Sequence, residues 1–384
     1  MHDLFPFLLG VIFVVINGLT QLVFAQTQGF KLKPSSIGLL LGAAVSLPLG
    51  IITPITGQSA MIALAGKTEE SRQRVAALLI AAATMAVLGI TGAVSEAVNF
   101  AGPAIIAGMM AGVGLMLTQV GVDFIFDKQK GNLQVGIVSF ISAMAIYVIT
   151  LNTAHAQHAL VYTIAGSVTI STLYFIIFQK KKMDAIVIPE GESDSGKFWT
   201  KAYWKTNDWK LVKPKLTFRA ILSALALICL GIGITTSFGN INASMAGLEQ
   251  NLDHLTFISG LAGFASVIFG GMPLETIISG TAAAPWPIIG SFAVLVVLAI
   301  LLLLGLVNKL CKYMPTQSIA GFLVVIGFFI TFLPNLRNPN FTGEGLENLP
   351  VAGTVMGVTA LTSNPFLGVL AGLVIRAFGY LIGL

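Results

Sequence analysis

Few side chains in this 384-residue chain could do chemistry inside its long apolar runs, and the informative ones cluster at two places. PITGQSAMIALAG (54–66) and PLETIISGTAAAP (273–285) are small-residue stretches, each opened by a proline, Pro54 and Pro273. Both are too short to cross a bilayer alone, since a span needs roughly 20 apolar residues. Irregular backbone at membrane depth survives only where it is buried in protein or lines a cavity. A half-helix ending there offers free N–H groups and the positive end of its dipole to an anionic or carbonyl-bearing ligand. Gly57, Gln58 and Ser59 open the first such segment, with Ala60 next. Ser279, Gly280 and Thr281 open the second, after an extended stretch from about Leu274 to Ile278. Ser59 and Ser279 also have the chemistry of helix N-caps, a role compatible with ligand contact.

Other polar groups fall in mid-membrane. Gln21 lies in NGLTQLVFAQ, and Thr235, Thr236, Ser237 and Asn240 lie in GIGITTSFGN. Ser and Thr in a membrane helix commonly bond back to a carbonyl one turn earlier. Gln21 and Asn240 cost more to bury and need partners. The expected ligand cavity therefore lies between Gln58–Ala60 and Ile278–Thr281, with Gln21, Thr236 and Asn240 on its wall. Among ionisable residues, Asp123 is near enough to a run's end to reach the interface, and Arg376 can snorkel. Glu275, beside the second short segment, is the candidate for proton coupling, because an intramembrane carboxyl is a functional hypothesis by default. Its competing reading is a carboxylate at a helix N-terminus or a wet rim.

Enzymatic chemistry finds no support in this pattern. There is no intramembrane His pair, Asp pair or Ser–His arrangement, and His2, His155, His158 and His254 all fall at termini or in loops. Cys229 and Cys311 suggest neither a disulfide framework nor a metal site. No Walker A loop is present, so ATP-driven pumping is not indicated. No cofactor is implied.

Composition explains what must position these groups. Hydrophobic residues make up 55% of the chain and charged residues 10%, against about 25% charged in soluble domains. With a mean hydropathy of +0.89, such a chain needs lipid over much of its surface. The net charge of +5 sits in loops and is no nucleic-acid signature. Apolar runs lie at about 4–25, 36–53, 75–95, 102–126, 133–152 and 157–178, then at about 218–240, 255–270, 288–308, 315–334, 348–363 and 364–384. With the two short segments this gives an all-α polytopic membrane protein of about 14 segments. The first run is long enough to remain as a helix.

The segments fall into related halves, 1–178 and 218–384. Each short segment is third in its half. Each half also has a fifth segment opened by a proline and carrying Ala-Gly: Ala107-Gly108 after Pro103, and Ala320-Gly321 after Pro315. Seven spans per half make the second half run opposite to the first, an inverted repeat of the kind common in secondary transporters. Between them, 179–217 holds nine lysines and Trp199, Trp204 and Trp209. It reads as a linker, lying on anionic headgroups or simply solvated.

FASVIFGGMPLETIISGTAAAP and GPAIIAGMMAGVGLML resemble the nucleobase–cation symporter-2 family, the nucleobase–ascorbate transporters that include uracil and xanthine permeases. The first is similar to that family's Phe-Gly-Gly-x-Pro approach to its tenth segment. The resemblance implies a 7+7 inverted repeat with half-helices 3 and 10, a core domain (segments 1–4 and 8–11) and a gate domain (5–7 and 12–14). It implies a substrate between half-helices 3 and 10, near Ser59 and Ala60. Thr236 and Ser279 would stand where the family has glutamates, and Asn240 one turn beyond Thr236. It further implies H+- or Na+-coupled uptake of a nucleobase across the cell membrane; a homodimer is compatible with it. The two hydroxyl positions instead fit a related transporter of a small organic or inorganic anion, benzoate-like or sulfate-like.

Orientation divides the expectations. Nineteen of the 21 Lys and Arg fall on the face opposite the N-terminus. The positive-inside rule therefore puts both termini outside and the linker in the cytoplasm. The resemblance puts both termini inside. The charge reading requires 36–66 to cross and return; a single crossing would reverse it.

Overall fold

The computed structural model describes residues 4–68, 70–126, 133–153, 159–179, 209–307, 314–337 and 348–382. Most of the linker, with Trp199 and Trp204, lies outside the described residues.

The first half comprises α1 (Leu4–Thr27), α2 (Ser35–Ser46), β1 (Ile55–Gly57), α3 (Ser59–Gly66), α4 (Ser71–Thr91), α5 (Ala93–Phe126), α6 (Leu133–Leu151) and α7 (Ala159–Phe178). The second comprises α8 (Phe218–Ala246), α9 (Leu252–Val267), β2 (Leu274–Thr276), α10 (Pro287–Leu303), α11, α12 (Leu349–Thr362) and α13 (Pro365–Ile382). We label as α11 the composite stretch that begins as a 3-10 turn at Thr316–Ile319 and passes through a π segment at Val325–Phe332 to an α end at Leu333–Leu336. Among the described residues, six helices are long and apolar enough to cross a membrane by themselves. The chain is a multi-pass membrane protein with a seven-plus-seven inverted repeat.

The helices pack in two groups. α9 lies on α4 and α2, α10 on α2, and α8 on α4. α5 carries α11, α12 and α13, while α6 packs on α7 and α11. Glycine sets the α4–α9 contact: a Cβ on Gly260 would overlap the backbone of Ala82 and Ala86, and one on Gly89 that of Asp253 and Phe257. Without a hydrophobic driving force between helices in lipid, such backbone approach is how membrane helices gain van der Waals energy.

The repeated Ala-Gly pairs make equivalent contacts. Gly108 of α5 lies against the Ala352 carbonyl of α12, the thirteenth segment. Gly321 of α11 lies against the Ser139 carbonyl of α6, the sixth. The spacing seen in sequence thus marks a symmetric pair of helix crossings.

α5 starts before Pro103. A helical turn region from Ala93 precedes it, and Gly102 (φ 76°) makes the kink between them. Arg376 closes that kink, donating from Nη1 to the Ala101 carbonyl and from Nη2 to that of Phe100, each at 2.9 Å. Asp123 is exposed near the end of α5.

The loop after α1, the loop between α3 and α4, the end of the linker and the turn after α9 meet one another. Arg74 donates to the carbonyls of Gln28 (2.6 Å) and Gly29 (2.9 Å). Lys31 N–H donates to the Gly270 carbonyl, Val212 N–H to that of Ile268, and Lys215 N–H to that of Arg72. Lys215 also forms an ion pair with Glu70 at 2.9 Å. α3 ends beside Gln28, where a Cβ on Gly66 would overlap the Gln28 side chain. So the chain from α2 to α3 enters and returns to the end where α1 finished.

Candidate functional site

β1 and β2 pair antiparallel, with Ile55 opposite Thr276, Thr56 opposite Glu275 and Gly57 opposite Leu274. All six residues are buried. The ladder satisfies backbone groups that hydrocarbon could not, and Ile277 N–H extends it to the Pro54 carbonyl. It joins the two short segments directly.

After β1 the chain turns into α3. Gln58 is its N-cap: Oε1 accepts from Met61 N–H at 3.0 Å, and the Gln58 carbonyl accepts from Ile62 N–H. Ser59 and Ala60 therefore supply the first-turn N–H groups that have no acceptor within the helix. Ser59 Oγ donates to Gln21 Oε1 of α1 at 2.6 Å.

The second short segment differs from the expected half-helix. Gly280–Ala283 forms turns and Ala284–Trp286 bends, and regular helix resumes only at Pro287. Pro285 and Pro287 flank Trp286, and proline cannot donate the N–H that would continue a helix. Ser279 caps this turn rather than a helix, since its Oγ accepts from Thr281 N–H at 3.2 Å. The extended part is held by Asn242 of α8. Its Nδ2 donates to the Ile277 carbonyl at 2.8 Å, and its Oδ1 accepts from Ser279 N–H at 2.9 Å.

A narrow cavity with about 20 Å³ of room for water lies where the segments meet. Asn17, Gln21, Gln58 and Ser59 give it a polar side; Leu160, Ile164, Phe238, Ile277, Ile278 and Ile326 give it an apolar one. None of these is charged. The volume is enough for one water-sized species.

Of the residues expected there, Gln21, Gln58, Ser59 and Ile278 line this cavity, while Ala60, Ser279 and Gly280 are buried without lining it. Two residues of α8 are not there. Thr236 is half-buried and bonds back to the Ile232 carbonyl at 2.8 Å, and Asn240 is exposed. The inward face of α8 runs through Thr235, Phe238 and Asn242 instead. One residue's displacement turns a helix position by about 100°, and the polar run TTSFGNIN carries candidates on both faces. Asn17 was missed. It lies one turn before Gln21 on the same face, 3% exposed, and its Oδ1 has no hydrogen-bond partner among the described residues.

Glu275 is 1% exposed and lies on a different cavity. Its Oε1 accepts from its neighbour Thr276 N–H at 2.9 Å and from Thr235 Oγ1 at 3.3 Å. The space beside it also has about 20 Å³ of room for water and is lined by Met61, Met85, Ser259 and Pro273 among others. It shares no lining residue with the first cavity.

No family model and no curated protein matches the chain. Solved structures do. The transmembrane domain of a cyanobacterial bicarbonate transporter, BicA, aligns with a TM-score of 0.63 at 14% identity over 97% of each chain. The murine solute carrier 26 family member A9, an anion transporter in its inward-facing state, aligns with a TM-score of 0.65 at 16% identity over 99% of this chain and 68% of that one. Identity at this level establishes the fold. The likeness also corrects the resemblance to the nucleobase–cation symporter-2 family, because the similar structures belong to a different family of anion transporters on the same plan. The Phe-Gly-Gly-x-Pro motif that carried the resemblance serves the backbone here. Gly270 has φ 86°, and a Cβ on Gly271 would overlap Ser266. These glycines make the turn that leads into β2.

Proposed function

We propose that this protein is a secondary transporter that carries a small anion across the cell membrane. The observation that carries the reading is the start of α3. There the N–H groups of Ser59 and Ala60 have no acceptor within the helix, and Ser59 joins Gln58, Gln21 and Asn17 in lining a cavity whose wall bears no carboxylate. Donors at a helix N-terminus bind anions through direct N–H contacts and the dipole together. The wall has no acidic pair to hold the N–H edges of a nucleobase. BicA and the solute carrier 26 protein, which share the fold, are a bicarbonate transporter and an anion transporter by name.

The chemistry required of the residues is modest. Gln21 accepts from Ser59, so its amide nitrogen is free to donate towards the cavity. Rotation of the Asn17 amide would present Nδ2 in the same way, the two ends being alike in shape. The apolar wall excludes water and strengthens those bonds. Ile164 of α7 and Ile326 of α11 belong to one packing group, and Gln21, Ser59 and Ile278 to the other. A shift of one group against the other would open the cavity to either side, the usual logic of alternating access around a fixed site. We include a coupling cation, H+ or Na+, since an anion moved inward against the membrane potential needs one.

Purified protein in proteoliposomes, given labelled bicarbonate, sulfate, benzoate and uracil in turn, tests this. Saturable uptake of at least one anion, with none of uracil, is expected. Uptake of uracil without any of the anions would overturn the reading.

A further inference from the structure

One face of α1 leads away from the anion cavity. Asn17, Gln21, Phe24 and Gln28 recur at spacings of four, three and four residues, which puts them in one row along the helix. Asn17 and Gln21 line the cavity. Gln28 lies at the far end of the row, against Gly66 at the end of α3. Phe24 is the apolar member, one turn beyond Gln21, and it is 0% exposed. It therefore stands between the cavity and the linker side of the molecule.

Its partner comes from the other packing group. The rings of Phe24 and Phe124, near the end of α5, meet edge to face with centroids 5.6 Å apart and planes at 77°. That geometry sets the positive edge of one ring on the negative face of the other. A second link crosses the same boundary. Lys67 follows Gly66 at the end of α3, and Asp123 adjoins Phe124. Desolvation lowers the Lys67 pKa, and the Asp123 carboxylate opposes that shift, so the two charges act on one another. α1 and α3 hold the cavity's polar side, whereas α5 carries α11, α12 and α13. Parting the two groups on this side must therefore break both links.

We propose that the Phe24–Phe124 contact is the gate that closes the anion cavity towards the linker side, with Lys67 and Asp123 as the latch beside it. A row of Asn, Gln and Gln alone would let water run along α1. Two facing rings make an apolar constriction, which closes a pore by excluding water. The proposal rests on the transporter reading for what passes, but not for the closure itself. While the gate is shut, Asp123 offsets the Lys67 charge. Once the groups part, the Lys67 ammonium is free to meet an anion that leaves the neutral donors of the cavity. Lys67 is thus assigned as an exit contact, used on one side only.

The test is a labelling rate, measured on the full-length protein in detergent with no anion substrate added. Ile164, 0% exposed on the cavity wall, is replaced by cysteine in a protein whose Cys229 and Cys311 are changed to serine. A charged, water-soluble methanethiosulfonate reagent then reports access to the cavity. With the gate intact, labelling should be slow. Phe124→Ala should speed it by about tenfold or more. Phe126→Ala makes the same change at an exposed ring two residues further along α5 and should leave the rate alone. Asp123→Ala, which removes only the latch, should give a smaller rise of about twofold. Phe124→Leu keeps most of the bulk and covers the case in which alanine prevents folding; about a threefold rise is expected from it. A folded Phe124→Ala protein labelled no faster than Phe126→Ala would overturn the proposal, and so would an unchanged rate in Phe124→Leu where alanine does not fold. If this contrast holds but no anion is taken up by proteoliposomes, the gate stands and the transporter reading alone falls.

Discussion

Asn242 grips Ser279 from the side: its Oδ1 accepts the Ser279 N–H at 2.9 Å while its other end donates to Ile277. A carboxamide used this way imitates a strand edge. It supplies to the second short segment the pairing that a neighbouring backbone would otherwise give. Asn242→Ala leaves a buried donor and acceptor unpaired, which costs about 1–3 kcal/mol. It should also lower transport by roughly 10- to 100-fold, because small displacements at a site are amplified in rate. Asn242→Asp keeps the acceptor for Ser279 but sets an oxygen against the Ile277 carbonyl, so it should rescue little. Thermal unfolding and flux measured together check this; a folded Asn242→Ala protein with full flux would remove Asn242 from the site.

The α4–α9 contact predicts a sharp contrast between glycines. Gly260→Leu must push apart two backbones with no flexible neighbour to yield, and overpacking of this kind costs about 1–3 kcal/mol or more. Gly353→Ala meets nothing within 4 Å and should be neutral. Fluorescence-detected size-exclusion profiles should show loss of the monodisperse peak for the first and none for the second.

Much of this architecture was legible because hydrocarbon imposes strict rules. The proline-opened short segments could be read from 54–66 and 273–285, since neither can span alone. Gln21 and Ser59 could be picked because polar groups in lipid need partners, and here they partner each other. What was not legible was helix phase. Asn240 and Asn242 both stand in the same polar run, and only packing decides that the second faces inward. The turn at Gly280–Ala283 was also hidden, because small residues there suit a helix or a turn equally and Pro285 and Pro287 act from a distance in sequence. The family resemblance misled for a physical reason: its glycines report the turn into β2, whereas the cavity is lined by side chains of α1 and the start of α3.

The Glu70–Lys215 tether gives a pH prediction outside the membrane. The hydrogen bond from Lys215, and then its charge, hold the Glu70 carboxyl below the usual carboxylate range. A depressed folded-state pKa means the contribution is present above the unfolded value and is lost as pH falls through the folded one. A spin label at Leu211, which is exposed, should keep the same mobility from neutral pH down to the ordinary carboxylate range and loosen only as pH falls below that range. Glu70→Gln should loosen it throughout. A mobility change centred near neutrality would mean another group controls this segment.

The basic residues after α1 and between α3 and α4 lie together with the end of the linker, which supports the orientation read from the charge count. Because the chain from α2 to α3 returns to where α1 ends, the parity behind the charge count holds through this region. We expect that end, with the linker, in the cytoplasm and both termini outside. A cysteine at Ser195 should resist an impermeant thiol reagent in intact cells and react after permeabilisation. Labelling in intact cells would reverse the orientation.

The claim at the centre is that neutral donors around Gln21, Ser59 and the start of α3 hold an anion. Gln21→Glu tests it most directly, because the change is nearly isosteric and keeps an oxygen to accept from Ser59 while placing a negative charge on the cavity wall. Uptake of labelled bicarbonate, sulfate and benzoate should be compared in proteoliposomes of wild type and variant matched for folded protein. The account predicts that whichever anion the wild type carries is lost by about 100-fold or more in Gln21→Glu, as expected for like charges at close quarters in a dry site, while Gln21→Ala loses less. Undiminished anion uptake by a folded Gln21→Glu protein would contradict it.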